Sequence, residues 1–195
     1  VLFEGCDTNI YKPTKDFTVE LHKEISIIPE KFVFLYVGHW LQGGLGKDRK
    51  DTGMLVKTFL ETFKNKLKAP ALILKSSGAT FSVIDREEML GKIEEIKKTV
   101  VGRLPNVYLL HGDLTDEEMN ELYNHPKVKV HVSFTKGEGF SRPLLEASLS
   151  GKPVIASDWS GHTDFLDKKL AVMLPGELVD VDLSAFPENI YTKGS

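Results

Sequence analysis

Glu138 and Glu146 are separated by seven residues in the stretch Thr135-Lys136-Gly137-Glu138-Gly139-Phe140-Ser141-Arg142-Pro143-Leu144-Leu145-Glu146-Ala147. Carboxylates accept hydrogen bonds from hydroxyls, so such a pair suits a polyol. Gly137 and Gly139 let the backbone turn tightly and approach a ligand. Pro143 marks the first turn of a helix. The unpaired N–H groups at Ser141 to Leu144 would face out of its start as an anion site. The two carboxylates would then flank a phosphate-sized site without sharing it. On spacing alone, Glu138 reads equally as a solvated loop acid, and Glu146 as a partly buried acid paired with a lysine.

A second set of candidates is cationic. Lys47, Arg49 and Lys50 follow Gly43-Gly44-Leu45-Gly46. This stretch fails the P-loop pattern, because Leu41 stands where the first Gly belongs and Asp48 replaces the Ser or Thr that would hold magnesium. It fails the dinucleotide fingerprint too, with Arg49 at the third Gly position. It reads either as a flexible surface loop or as a cationic edge that meets an anion. Lys75 could reach such an anion or remain a surface lysine. His22, His125 and His162 show no ligand spacing and read as incidental. No Gly-x-Ser-x-Gly elbow or Asp-x-Asp pair stands at a strand end, which argues against a hydrolase or phosphatase.

The elements that must position these residues alternate. Residues 31–37 form a continuous apolar, β-branched run, as in a strand buried on both faces. Further strands are predicted at 71–74, 107–110, 128–132, 153–156 and 170–174. Between them, Met54 to Phe63 show helical spacing up to Pro70. Met89, Ile93, Ile96 and Val100 stripe a charged helix beginning at Asp85. Thr115 and Glu118 form a capping-box pattern, and Gly151 ends the helix begun at Pro143. A short helix is expected near 163–166. The series predicts βαβ units and a doubly wound, mainly parallel α/β sheet with helices on both faces. Ligands of such sheets lie beyond the carboxyl ends of the strands, where the loops carrying Lys50 and Glu138 emerge. Residues 1–30 and 175–195 are weakly patterned and are expected to pack on something outside the chain.

Composition narrows the classes. The chain has 195 residues, with 41% hydrophobic and 27% charged, an ordinary globular balance. Its net charge of −3 argues against a general nucleic-acid binder. No window approaches the roughly 18 consecutive apolar residues of a membrane span, and no signal peptide is visible at the start. Cys6 is the sole cysteine, so no internal disulfide and no multi-cysteine zinc site can form. A reducing, cytoplasmic location is the expectation.

The Glu-x7-Glu block, with EGFSRPLLEASLSGKPVIASDWSGHTDFL around it, resembles the nucleotide-sugar half of the group 1 retaining glycosyltransferases of the GT-B fold. Residues 4–13, Phe34-Leu35-Tyr36-Val37-Gly38, Arg49-Lys50-Asp51 and the segment from His111 to Glu118 extend the match over about residues 4–175. The resemblance implies a Rossmann-like half of a GT-B enzyme that moves a hexosyl unit from a nucleoside-diphosphate sugar to a hydroxyl acceptor. It implies that Glu138 binds donor-sugar hydroxyls and Glu146 the ribose. Backbone from Gly139, Phe140, Ser141 and Arg142 to Pro143 and Leu144 would hold the diphosphate, with Lys50 and Arg49 neutralising it as the leaving group. Backbone at Asp113 and Leu114 would meet the base. No metal and no cofactor beyond the nucleotide sugar are implied.

This sequence departs from the family pattern at His39, where many members carry Arg, at Ser141, where Gly is common, and at Asp164, where Glu is frequent. His39 reads as a structural or rim residue. The expectation is therefore one nucleotide-sugar-binding domain over residues 1–195, core about 31–175, with an acceptor-binding domain before it and a closing helix after it. Such a chain alone would bind donor but transfer little. A non-catalytic nucleotide-binding module is the alternative reading.

Overall fold

The computed structural model describes residues 4–78 and 80–185. Six strands form one sheet: β1 (Val33–Val37), β2 (Ala71–Lys75), β3 (Val107–Leu110), β4 (Val128–Ser133), β5 (Val154–Ser157) and β6 (Val172–Leu174). They lie in the order β3-β2-β1-β4-β5-β6, and every pairing is parallel. The helices are α1 (Val19–Ser26), α2 (Thr52–Phe63), α3 (Val83–Lys98), α4 (Asp116–Asn124) and α5 (Arg142–Ser148), with single turns at Gly161–Asp164 and Leu183–Ala185. The doubly wound fold expected from the alternating pattern is the one observed.

Strand side chains alternate between faces, and both faces are covered. Tyr36, Leu72, Leu74 and Val132 meet Leu55, Phe59, Met89 and Ile93 of α2 and α3. Val33, Leu35, Ala71 and Ile73 meet Leu21 and Ile25 of α1, Leu122 and Tyr123 of α4, and Ala147 of α5. All of β2 is buried, as its unbroken apolar run requires. The capping box of α4 is present: the Glu118 amide donates to Thr115 Oγ1 at 3.2 Å, and the Thr115 amide to Glu118 Oε2 at 2.8 Å.

Three expectations need correction. The described segment before β1 packs on this chain. Tyr11 donates to Asp116 at 2.8 Å, the Thr14 amide donates to Asn124 at 3.1 Å, and the Thr18 amide to Glu121 at 2.6 Å, so α4 clamps it. Helix α2 stops well ahead of Pro70, because Asn65 turns into the left-handed region at φ 61° and its side chain accepts from the Arg103 amide at 2.9 Å. Helix α3 starts at Val83 and not Asp85, capped by Ser82 Oγ. Part of the C-terminal stretch also rests on this chain: the Gly44 amide donates to Ser184 Oγ at 3.3 Å. Residues 186–195 lie outside the described residues. No described helix is long and apolar enough to cross a membrane.

His125 and His131 are among the buried histidines of this frame. Burial, then the neighbouring His22, Lys152 and Lys127 charges, lowers His125 to about 4. Burial, then Lys152, lowers His131 to about 3. Both start from 6.5 in the unfolded chain. Between those values the unfolded chain binds more protons, so stability falls as pH falls, by up to ~1.4 kcal/mol per pH unit for each His. Glu146 and Asp48, raised by burial, oppose this because they take protons in the folded state first. The expected urea midpoint is flat above pH ~7 and declines from ~6.5 towards ~4.5, with a shallower decline for His125→Gln. A midpoint unchanged from neutral pH to the acid end would remove this account.

Candidate functional site

The strand order reverses between β1 and β4, so the loops after these two strands leave in opposite directions and open a crevice between them. The two loops are stitched together. The Lys136 amide donates to the Arg49 carbonyl at 2.8 Å. Lys136 Nζ donates to the Asp48 carbonyl at 3.2 Å and pairs with Asp51 at 3.1 Å. Lys136 is thereby spent on bracing. Asp51, at φ 52°, then turns the chain into α2 and leaves Lys50 aimed across the crevice.

Glu138 is the meeting point. Its carboxylate takes the Lys50 ammonium on Oε1 and the Arg49 guanidinium on Oε2 at 3.2 Å. The Lys50 and Glu138 side chains are only 10% and 8% exposed, whereas Arg49 is 48% exposed. Burial alone would push the Glu138 carboxyl up, but the Lys50 hydrogen bond and charge, with Thr135 and Arg49, bring it below its ordinary value. The structure thus joins three residues singled out in the sequence, and joins them to one another. Arg49 also donates to the Gly137 carbonyl, so it braces the loop as well as supplying charge.

The loop after β5 holds this arrangement from behind. Ser160 Oγ accepts from the Glu138 amide at 2.6 Å and donates to the Glu138 carbonyl at 2.7 Å. The Gly161 amide donates to the same carbonyl at 3.1 Å. Gly161 lies so close that a Cβ there would sit 1.9 Å from the Gly139 carbonyl oxygen. His162, fully buried, donates from Nε2 to the Ser157 carbonyl at 2.7 Å, and Ser157 Oγ donates to the Thr135 carbonyl at 2.7 Å. His162 is therefore a brace and not incidental. Nothing in its spacing signalled this, since its partners are the carbonyl and hydroxyl of Ser157.

Glu146 sits in the first turns of α5 with its side chain 7% exposed. Tyr123 donates to its Oε2 at 3.1 Å, and Arg142 pairs with its Oε1 at 3.2 Å. Burial dominates, so its carboxyl lies above the ordinary value despite Tyr123 and Arg142. The two glutamates are thus pushed in opposite directions. The Tyr123 hydroxyl is a contact that spacing could not reveal.

The amide donors of this loop are fewer than expected. Pro143 has no N–H, and the Leu144 amide bonds the Ser141 carbonyl at 3.0 Å, with its side chain in the core. That leaves the backbone at Phe140, Ser141 and Arg142. The left-handed residue of the turn is Ser141, at φ 71°, while Gly137 and Gly139 face open space. On the other side of the crevice, Lys75 is buried, donates to the Gly112 carbonyl and lies 5.3 Å from the Phe81 ring centre. It is not a surface lysine here. It holds the loop of Asp113 and Leu114, whose own amide is taken by the Asp113 carboxylate at 3.1 Å. His39 bonds Ser77 Oγ at 3.2 Å, as a rim residue would. Lys47 pairs with Asp182 at 3.4 Å, away from Glu138. Among the described residues no group of three or more His, Cys, Asp or Glu is placed to hold a metal ion.

Comparison with known proteins agrees with this fold. The C-terminal domain of LpcC, a glycosyl transferase group 1 family protein from Francisella tularensis, superposes with a TM-score of 0.53 at 17% identity, covering 78% of this chain and 70% of that one. HepE of Anabaena, solved with UDP-glucose, gives 0.58 at 21% identity over 89% of this chain and 43% of HepE. WaaG, a glycosyltransferase involved in lipopolysaccharide biosynthesis, gives 0.57 at 15% identity over 85% of this chain and 40% of its own. The chain therefore spans less than half of the two longer proteins. No curated protein sequence matches it. The family described as glycosyl transferases group 1 matches residues 32–191, most of the chain and all of the crevice, and the chain belongs to that family.

Proposed function

We propose that this chain is the donor-binding half of a retaining glycosyltransferase that moves a hexosyl unit from a nucleoside-diphosphate sugar to a hydroxyl acceptor. The observation that carries this reading is the convergence of Lys50, Arg49 and Glu138 at the β1/β4 crevice. HepE, of the same fold, holds UDP-glucose.

In this reading the diphosphate lies on the Phe140–Arg142 backbone, with Lys50 and Arg49 as its cations in place of a metal ion. As the bond between the anomeric carbon and the diphosphate oxygen breaks, the leaving group takes the electron pair. Cations already fixed in a partly dry site stabilise that charge without reorganising. Glu138 orients sugar hydroxyls, Glu146 accepts from the ribose, and the backbone at Asp113 and Leu114 faces the base. The acceptor is supplied by a further domain, so the isolated chain binds donor and transfers little.

Calorimetry with nucleoside diphosphates and their sugars tests the assignment. Charge-assisted bonds contribute roughly 1.5–3 kcal/mol, so Glu146→Gln should weaken nucleoside diphosphate binding about ten- to a hundredfold. Glu138→Gln should spare the diphosphate, because Lys50 is released, yet weaken the sugar nucleotide. Unchanged affinity in Glu146→Gln would place the ribose elsewhere. Equal losses for both ligands in Glu138→Gln would make that residue structural. Normal nucleotide binding with no transfer by the full-length parent would support a non-catalytic module instead.

A further inference from the structure

A cleft of about 630 Å³ opens at the opposite end of the sheet, where the chain enters β1, β2 and β3. Its volume falls within the ~300–1,000 Å³ typical of small-ligand sites. Four cations line it, Lys31, Lys66, Lys68 and Arg103, against a single acid, Glu30. Glu30 is already engaged: Oε1 accepts from Asn106 at 2.6 Å and Oε2 from the Tyr108 hydroxyl at 3.2 Å. The ion pairs formed among the described residues include none of these four cations. In a chain of net charge −3, four cations against one carboxylate are a local excess of positive charge.

The cations do not hang on a loose loop. Asn65 and Arg103 exchange bonds, the Asn65 amide to the Arg103 carbonyl at 2.8 Å and the Arg103 amide to Asn65 Oδ1 at 2.9 Å. The Arg103 guanidinium then donates to the Lys66 carbonyl at 2.8 Å. The two segments that carry Lys66, Lys68 and Arg103 are thus pinned side by side, which lowers the ordering cost of binding. Phe32 and Leu67 add exposed apolar surface at the same mouth.

We infer that this cleft is a second ligand site, for a phosphate-bearing molecule with an apolar body. The inference does not depend on the donor site, which lies at the other end of the strands. The phosphate could be that of a soluble metabolite or of a lipid headgroup, and two arms of one experiment separate them.

The whole chain, labelled with nitrogen-15, is titrated with inorganic pyrophosphate while individual amides are followed. Saturable shifts are expected at residues 30–32, 66–69 and 103–106. The double variant Lys66→Gln/Lys68→Gln should weaken these at least tenfold, while any shifts at Arg49, Lys50 and Ser141 keep their midpoint. Lys31→Gln, outside the Asn65–Arg103 bonds, provides the same test should the double variant fail to fold. In the second arm the protein is sedimented with phosphatidylcholine vesicles, with and without phosphatidylglycerol. Binding only to the anionic vesicles, abolished by the same variants, identifies a lipid phosphate. If neither pyrophosphate nor anionic vesicles engage the cleft, or if the variants bind them as the parent does, the inference fails. Failure at the donor-loop amides alone would count only against the donor reading.

Discussion

Lys50→Ala is expected to raise the dissociation constant for a nucleoside diphosphate about a hundredfold, the upper part of the range for lost charge-assisted bonds, and that for the monophosphate only a few fold. Lys50 is the buried cation beside Glu138, and Arg49 next to it is half exposed and shared with the Gly137 carbonyl. The exposed charge is screened by solvent and salt, so it contributes less. The loop backbone adds N–H groups but little net charge. On the proposed assignment the diphosphate's second phosphate would therefore depend on Lys50. Removing it also leaves Glu138 without its nearest partner. Breaking a buried pair commonly costs ~3–5 kcal/mol, and the retained Arg49 contact should hold the loss below that. Calorimetry at two salt concentrations, with thermal unfolding alongside, separates the effects: the diphosphate should lose salt dependence as well as affinity. Parental binding of both nucleotides by a folded Lys50→Ala protein would show that the diphosphate binds elsewhere. Lys47→Ala, whose partner is Asp182, should change neither.

Gly161→Ala should be at least as damaging, for a steric reason. The added carbon would lie 1.9 Å from the Gly139 oxygen, 2.5 Å from its carbon and 2.9 Å from the Phe140 nitrogen, all backbone atoms. No side chain can rotate away, so the two loops must separate. The Gly161 amide would leave the Glu138 carbonyl, and Ser160 would lose its two-way contact. A displacement of ~1 Å at such a site costs about a hundredfold in turnover. Gly139→Ala is the control, because nothing lies within 4 Å of a Cβ there. It should keep the parent's melting temperature and lose affinity only where ligand meets that backbone. Should Gly161→Ala melt and bind like the parent, the loop after β5 does not support Glu138 in the way described.

These two glycines show what was legible in the sequence and what was not. The glycines flanking Glu138 stand out, yet the one under steric pressure lies in a different loop, 22 residues beyond Gly139, and only the fold brings them together. The strands were readable because apolar, β-branched runs have few alternatives, and the capping box marked α4 to the residue. Helix α1 was not readable. It has eight residues, with Leu21 and Ile25 as its buried anchors, too few to establish a period. Lys50 and Glu138 were named through the family's motif, but their pairing is a property of the crevice. Lys75 and Lys136 illustrate the converse: a lysine's sequence position shows where its stem begins, and its backbone-carbonyl partners emerge only on folding.

The contact between Lys50 and Glu138 has a consequence for what the crevice admits. The carboxylate is a tethered competitor, present at the high effective concentration that covalent attachment confers. An anion that took Lys50 from it would replace like with like and gain little. A ligand whose phosphates take the ammonium while its hydroxyls take the displaced carboxylate satisfies both partners at once. With a nucleotide sugar as ligand, the resident ion pair would act as a selectivity threshold, holding the crevice against simple salts and yielding to a molecule that carries an anion and a polyol in one frame.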